Sequence, residues 1–573
     1  MYRIGIVAFG LLVACGPSSP HGNGDSGTGS DTGACVDGQF ACNGNELQKC
    51  SGGQFLPSET CAMACSPDLG CVTCLPGTGT CNGDMSTACL PDGSGYYDEY
   101  CDPVMGSSCD ASSGTCTGAC TSTALGQSYI GCEYYATVTS QLVNPSFQFA
   151  VAISNTSTLA AIVTIEGGAL GAPTRLTVNP NEVATQRLPW VPSLKTCNTQ
   201  GFQECGAPEQ YGALAVNGGY RIRSTQPVTV YQFSPLDYSS GGSFSYSNDA
   251  SLLLPTNVWS TSYYVPAWQG WASSGGAMPG ILAVTAAQDG TSVTVKTRAN
   301  TTGGNGAPNF TAGTAQTVTL GRGSVLQLMT PSGDLTGSFV SSDKPVQVIG
   351  GHHCTQIPIG YTACDHIEES IFPVSTLADE YLVTAPQLGT GVRQELIRIV
   401  ATEPATSVTL DPASAGGPYT FANAGDFVEI PLTNASFQVK ADKKVVVAQY
   451  MVSQNVPGGN GTGDPGMSLA VPTAQYRSQY QFHAPTNYTS NFVNITAPMG
   501  ADVTLDGTVV PATSYTAIGS SGYGIARVQL SNAGNGNHSA TSTLQFGITV
   551  YGYGTYTSYW YPGGLDLTPI VVQ

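Results

Sequence analysis

The segment Val284-Thr285-Ala286-Ala287-Gln288-Asp289-Gly290-Thr291-Ser292-Val293-Thr294-Val295 decides the fold class. Two runs rich in β-branched residues flank Asp-Gly, a pair suited to a tight turn, so the segment is expected to form a β-hairpin. Similar segments run from Ile399 to Leu410 and from Ile495 to Leu505, and each ends in Val-Thr-Val or Val-Thr-Leu.

Working outward, the segment belongs to a repeat. Each hairpin follows an opening: Leu254-Pro255 with Tyr264-Val265-Pro266, Phe372-Pro373 with Tyr381 to Pro386, and Val471-Pro472 with Tyr480 to Pro485. Units close with a strand, a charged turn and a buried strand, from Phe339 to Val348 around Asp343-Lys344-Pro345 and from Phe437 to Val447 around Asp442-Lys443-Lys444. Ser224 to Val230 is the same element of an earlier unit. About four units follow, near 129–246, 247–364, 365–463 and 464–573. Several short strands per unit with almost no helical periodicity predict an all-β fold of tandem β-sandwich-like repeats. A β-propeller is the alternative, but its four-stranded blades take only about 40–50 residues each.

Composition agrees with an exported β-rich chain. Of 573 residues, 71 are Gly and 28 Tyr, and only 10% are charged, against about 25% in ordinary globular proteins. The formal net charge of −19 repels phosphate backbones, so no nucleic-acid partner is expected. No apolar run after Val13 approaches the ~18 residues that span a bilayer.

At the N-terminus, Arg3 precedes an apolar stretch from Ile4 to Val13 that ends in Leu12-Val13-Ala14-Cys15-Gly16. The stretch has the length of a signal-peptide core. Its end resembles the lipobox of bacterial lipoproteins, which implies cleavage after residue 14 and lipid on the Cys15 thiol. Residues 15–34 then form a flexible Gly/Ser-rich tether with a reach of about 25 Å. Gly24-Asp25-Ser26-Gly27, inside the tether, matches the surroundings of a serine-protease nucleophile but has no fold to hold a histidine against it. The expected place of the protein is the envelope of a bacterium, lipid-anchored at the outer membrane or cell surface.

With Cys15 assigned to lipid, 18 of the 19 cysteines remain, an even number that can pair in an oxidising compartment. Residues 35–120 carry a duplicated cysteine-rich module: cysteines 35, 42, 50, 61, 65 and 71, then 74, 81, 89, 101, 109 and 116. Each copy allows 15 pairings, and spacing does not choose among them. Further disulfide candidates are Cys120 and Cys132, Cys197 and Cys205, and Cys354 and Cys364.

Three of the six histidines, His352, His353 and His366, fall within 15 residues. A Cys354–Cys364 bridge would bring His353 near Asp365 and His366, with Glu368 beside them. Two imidazoles and a carboxylate could bind a transition metal, and a metal-dependent enzyme is the alternative function. The competing reading is a pinned loop between units whose polar groups cap strand ends.

The same region carries a family resemblance. Asp343 to Val348 running into Gly351-His352-His353-Cys354, then Cys364-Asp365-His366 and the Pro373 to Tyr381 stretch, resembles the N-terminal domain of the IgG Fc-binding protein family. Tyr129-Ile130-Gly131-Cys132-Glu133-Tyr134-Tyr135, Ala250 to Pro255, Asp289-Gly290-Thr291 and Gly463 to Ser468 fit as well. The resemblance covers residues 129–573 and implies a secreted or surface-exposed adhesive domain without enzymatic activity.

Asp249, Asp289, Asp464 and Asp506 are read chiefly as turn residues, with structural Ca²⁺ a possible use and no other cofactor expected. The run Tyr551 to Tyr561 reads as a final strand packed on the core, with a carbohydrate platform as the second reading. Together these point to a non-catalytic surface binding or adhesion protein, anchored to membrane through lipid, whose partner is an extracellular or cell-surface protein or glycan. A structural envelope component is the remaining reading.

Overall fold

The computed structural model describes residues 35–198, 208, 210–457 and 462–572. The expected signal peptide and tether, with Cys15, and also Cys205 lie outside these residues. The chain divides into two compact units, 35–80 with 87–98, and 81–86 with 99–572.

In the first unit, Phe40–Asn43, Glu46–Ser51 and Gln54–Thr60 form a three-stranded antiparallel sheet. Its apolar cluster is little more than Leu47, Cys61 and Cys65. So small a core cannot offset the chain entropy lost on ordering, and covalent bonds must do so. The bonds are Cys35–Cys50, Cys42–Cys65 and Cys61–Cys71. The second cysteine copy has Cys74–Cys89, Cys81–Cys109 and Cys101–Cys116. Both copies therefore join first to third, second to fifth and fourth to sixth, which selects one of the pairings that spacing left open.

The second unit repeats one seven-strand pattern four times. Each repeat is built on a long strand whose first half lies in an outer sheet and whose second half lies in an inner sheet. In the first repeat this is Tyr220–Phe233: its first half pairs with Gly131–Ala136 and Ala161–Gly167, its second with Phe149–Asn155 and Ala250–Leu253. Ser338–Thr355 does the same with Ser260–Val265 and Thr291–Lys296, then with Gly280–Ala286 and Asp365–Ser370. In the fourth repeat, Asn537–Gly554 pairs first with Arg477–His483 and Val503–Leu505, then with Ser490–Pro498 and Thr557–Pro562. In the third repeat the long strand is divided into Phe437–Ala441 and Val445–Met451, and two separate four-stranded sheets result. Their facing side chains, among them Tyr381, Ile397, Ile399, Val408, Val439 and Val447, form one buried cluster. The repeats are thus β-sandwiches.

Two sequence expectations change here. Val284 to Val295 is not a hairpin: Gly280–Ala286 pairs in the inner sheet and Thr291–Lys296 in the outer one, and the Asp289-Gly290 segment carries the chain between them. Ile399 to Leu410 and Ile495 to Leu505 cross between sheets in the same way. The cause is a difference in burial. Gly280–Ala286 is buried at every position, whereas Thr291–Lys296 alternates, so the two cannot share a sheet face. Nor is Asp343-Lys344-Pro345 a turn; the strand runs straight through it and changes sheet there. A true Asp-Gly hairpin does form at Asp506-Gly507, both with positive φ, where Leu505 faces Thr508.

The central inner strands, Phe149–Asn155, Gly280–Ala286 and Glu395–Ala401, are buried at every position because the repeats surround a shared centre. The closing strands Ala250–Leu253, Asp365–Ser370, Met467–Leu469 and Thr557–Pro562 touch in a closed ring. The core of the second and fourth repeats is continuous with this centre, through Phe233, Leu252, Ile367, Met467, Tyr559 and Tyr561.

Candidate functional site

Asp249, His352, His353, Asp365, His366 and Glu368 are sealed from solvent in the interior of the second unit. Asp249 is 0% exposed. Its carboxylate accepts four backbone N–H bonds, from Ala250 at 2.9 Å, Glu368 at 3.0 Å, Met467 at 3.1 Å and Trp560 at 3.1 Å. Each donor lies on the closing strand of a different repeat. Three of the four repeats make this position equivalent in sequence: Ala250, Glu368 and Met467 each stand five residues before Pro255, Pro373 and Pro472. The residues preceding the other three donors are Ile367, Gly466 and Tyr559, so one repeat supplies the acceptor for all four. Burial pushes the Asp249 carboxyl well above the usual range, and the N–H donors oppose that shift.

Asp365, which opens the second closing strand, accepts from the backbone of Asn248 at 2.8 Å, from the Thr557 hydroxyl at 2.9 Å and from the backbone of Ser558 at 3.2 Å. His366 Nε2 sits 3.2 Å from Glu368, which also accepts from Thr139 and from Gln232. His353 Nδ1 faces Ser140 at 2.7 Å. Glu369 holds Ser251 at 2.7 Å, while its second oxygen has no partner. Burial lowers the His353 imidazole below its usual range and lowers His352 to about 3, so both are neutral at ordinary pH.

His353, Asp365, His366 and Glu368 are the residues weighed above for a metal. His366 and Glu368 are in contact, while His353 faces Ser140 and Asp365 faces Asn248, Thr557 and Ser558. Among the described residues no group of three His, Cys, Asp or Glu side chains could hold a metal ion. The chemistry available is hydrogen bonding that ties repeats together. Asp289 accepts from the backbone of Arg322 and Asp506 from that of Ser539, as turn residues do. Asp464 is buried, accepts from the backbone of Gln454 and has its other oxygen unpartnered. Sequence reading treated Asp249 as a turn residue. The available signal was a single charge in the otherwise uncharged run Ser247-Asn248-Asp249-Ala250-Ser251-Leu252.

What faces solvent is the end of the ring where the loops between long and closing strands meet. These loops, at 234–249, 356–364, 452–457 with 462–466, and 555–556, are bonded one to the next. The backbone of Asn455 donates to Thr362 at 2.8 Å, Ser453 to Ile357 at 2.8 Å and Gly463 to Gly554 at 2.9 Å. The backbone of Tyr556 donates to Gln454 at 2.9 Å. The Tyr246 and Tyr556 rings lie 6.0 Å apart. Cys354 and Cys364 form a disulfide that braces the second loop. Phe244, Tyr246, Tyr361 and Tyr556 are exposed on these loops, at 42, 38, 39 and 41%. Of the C-terminal tyrosines, Tyr551, Tyr553, Tyr559 and Tyr561 pack in the core and Tyr556 alone emerges. Elsewhere, Cys120 and Cys132 form a disulfide at the entry to the first repeat. Cys197 is disulfide-bonded, and its expected partner Cys205 lies outside the described residues.

A family model described as IgGFc binding protein matches residues 249–552, more than half of the chain, beginning at the hub carboxylate. The chain belongs to the IgGFc-binding protein family. Human IgGFc-binding protein is 28% identical over 306 residues, which cover 53% of this chain and 5% of that protein. The chain therefore spans a small part of that relative's length. No solved structure matches. The matched span contains three of the four closing strands whose N–H groups meet Asp249.

Proposed function

We propose that this chain is a non-catalytic, lipid-anchored surface protein of a bacterium that grips an extracellular partner with the loop end of the ring. One observation carries the reading: four loops, bonded one to the next in series, present exposed aromatic side chains from three of them on a rigid scaffold. Loops held this way pay little entropy on binding, and tyrosine is the residue most favoured at recognition surfaces. Sealed titratable groups support a binding role over an enzymatic one, because no acid, base or nucleophile of the central network reaches solvent. Anchoring would come from lipid on Cys15, with residues 16–34 as tether and the cysteine-rich modules as spacer.

Two experiments test this. In cells fed radiolabelled palmitate, the full chain takes up label and the Cys15→Ser variant does not; equal labelling removes the anchor. Purified full-length chain is passed over immobilised IgG Fc, other extracellular proteins and glycans. Retention on any of these, lost when Tyr361 and Tyr556 are both replaced by Ser, supports the loop rim. Retention unchanged in that variant places binding elsewhere.

A further inference from the structure

Within the loop rim, the first and fourth loops build a feature of their own. Ser239–Ser240 and Ser243–Phe244 pair as a small hairpin around Gly241-Gly242, both with positive φ, a turn that suits glycine. The hairpin carries Phe244 outward. Phe244 then packs on Tyr246 at 5.6 Å, and Tyr246 on Tyr556 at 6.0 Å. Beneath them, Phe244 meets Tyr238 at 5.2 Å, and Tyr238 meets the buried Tyr488 at 5.7 Å. The exposed rings are therefore the top of an aromatic stack rooted in the core.

Two of these residues hold strained backbone. Tyr246 has φ 55° and Tyr556 has φ 60°. The left-handed region costs a bulky L-residue about 1 kcal/mol or more, and asparagine is the side chain that tolerates it best. Among the described residues, most others with positive φ outside glycine are Asn or Asp, and Tyr246 and Tyr556 are the aromatic exceptions. Two strained, exposed, adjacent tyrosines indicate a surface held for use, since such strain persists where a side chain must be aimed.

Beside the strip runs an open groove of about 320 Å³, lined by Leu142, Asn144, Phe147, Ser243, Phe244 and Tyr246 among others. Among the described residues, none that lines it is charged. A phosphate, sulfate or carboxylate would find no cation among these described lining residues, and the chain's net charge of −19 would repel it. Aromatic faces with hydroxyl and amide groups around them, in a shallow uncharged groove, match a ligand with apolar C–H faces and a fringe of neutral hydroxyls.

We infer that the Phe244–Tyr246–Tyr556 strip and its groove form a subsite for an uncharged saccharide. The inference rests on the proposed binding role of the loop rim and names the class of partner it takes. The sugar's C–H faces stack on the rings while its hydroxyls reach Asn144 and Ser243.

The test uses the full-length chain on a panel of uncharged, sialylated and sulfated glycans, with titration calorimetry of the best retained saccharide. Tyr246→Asn and Tyr556→Asn remove each ring while relieving the backbone. Each is expected to weaken binding at least tenfold, with the urea midpoint of unfolding kept. Affinity is expected to change less than twofold between 0.05 and 0.5 M salt. Saturation-transfer NMR on the unmodified chain reports the same contact without a variant: sugar C–H protons receive saturation from aromatic protons. The inference is overturned if no uncharged glycan is retained, if only charged glycans are, if both variants bind within twofold of the parent, or if transfer is absent. Capture of an extracellular protein with no saccharide binding would overturn the subsite and leave the proposed function standing.

Discussion

The carboxylate of Asp249 accepts a 3.1 Å hydrogen bond from the backbone N–H of Trp560, 311 residues away in sequence. The same side chain accepts N–H bonds from the second and third repeats, so the first and last repeats close the ring through one acidic group. All four bonds converge where solvent does not reach, which makes the residue a keystone for the assembly of repeats.

Asp249→Asn is expected to be among the most damaging single substitutions in the chain. The amide turns an NH₂ toward donors that need an acceptor, leaving two backbone N–H groups buried and unpaired. Each unpaired group costs about 1–3 kcal/mol, giving a loss of several kcal/mol. The check is urea unfolding of the full chain, with Thr294→Val in an exposed outer strand as a control that shifts the midpoint little. Equal midpoints for the two variants would remove the keystone role.

Glu395 makes the stability pH-dependent. Burial first, opposed by the Gln449 hydrogen bond and by Arg527, raises its carboxyl to about 8. A raised acid binds its proton more tightly folded than unfolded. Its contribution is therefore present below the unfolded value near 4.5 and is lost as pH rises through about 8. Buried His352, lowered to about 3, and His483, lowered to about 4, act oppositely, but only below their unfolded value of 6.5. Between pH 6.5 and 8, stability should thus fall with a slope of up to about 1.4 kcal/mol per unit from this group. Urea midpoints across that range should drop for the parent and drop less for Glu395→Gln; parallel profiles would exclude Glu395 as the source.

Arg398 ties the third repeat to the second. Its guanidinium lies 3.8 Å from the Trp268 ring centroid and donates to the Ala267 carbonyl at 2.9 Å and to Thr336 at 2.8 Å. It also forks onto Glu429 at 2.9 and 3.1 Å and pairs with Asp334 at 2.9 Å. Lysine keeps the charge but cannot supply the planar fork, so Arg398→Lys should cost about 2–4 kcal/mol. Hydrogen exchange should show lost protection first around residues 265–268 and 396–400. Unchanged protection there would mean the interface does not depend on the guanidinium.

Cys354–Cys364 closes a loop with a sequence separation of 10 residues. Chain entropy alone makes such a bridge worth about 3 kcal/mol. Replacing both cysteines by alanine should lower the urea midpoint accordingly and expose the loop carrying Tyr361 to limited proteolysis. Unaltered cleavage in that loop would show that its bonds to Asn455 hold it without the bridge.

Some of this was legible in the chain. Short alternating strands, turn residues and matching Pro-marked openings are local properties, and they suffice for an all-β fold of four similar repeats. The even cysteine set and its duplication were equally local. Long-range choices were not. Val284 to Val295 reads as a hairpin because strand and turn propensity act over a few residues; sheet membership depends on which faces are buried, and those neighbours come from other repeats. The pairing of six cysteines is likewise a matter of spatial approach. Asp249 is the sharpest case: as sequence it is an acid beside a strand, and only the ring of four closing strands surrounds it with donors. Propensity and patterning determined the pieces and their number, while burial of both faces of the central inner strands decided how they meet.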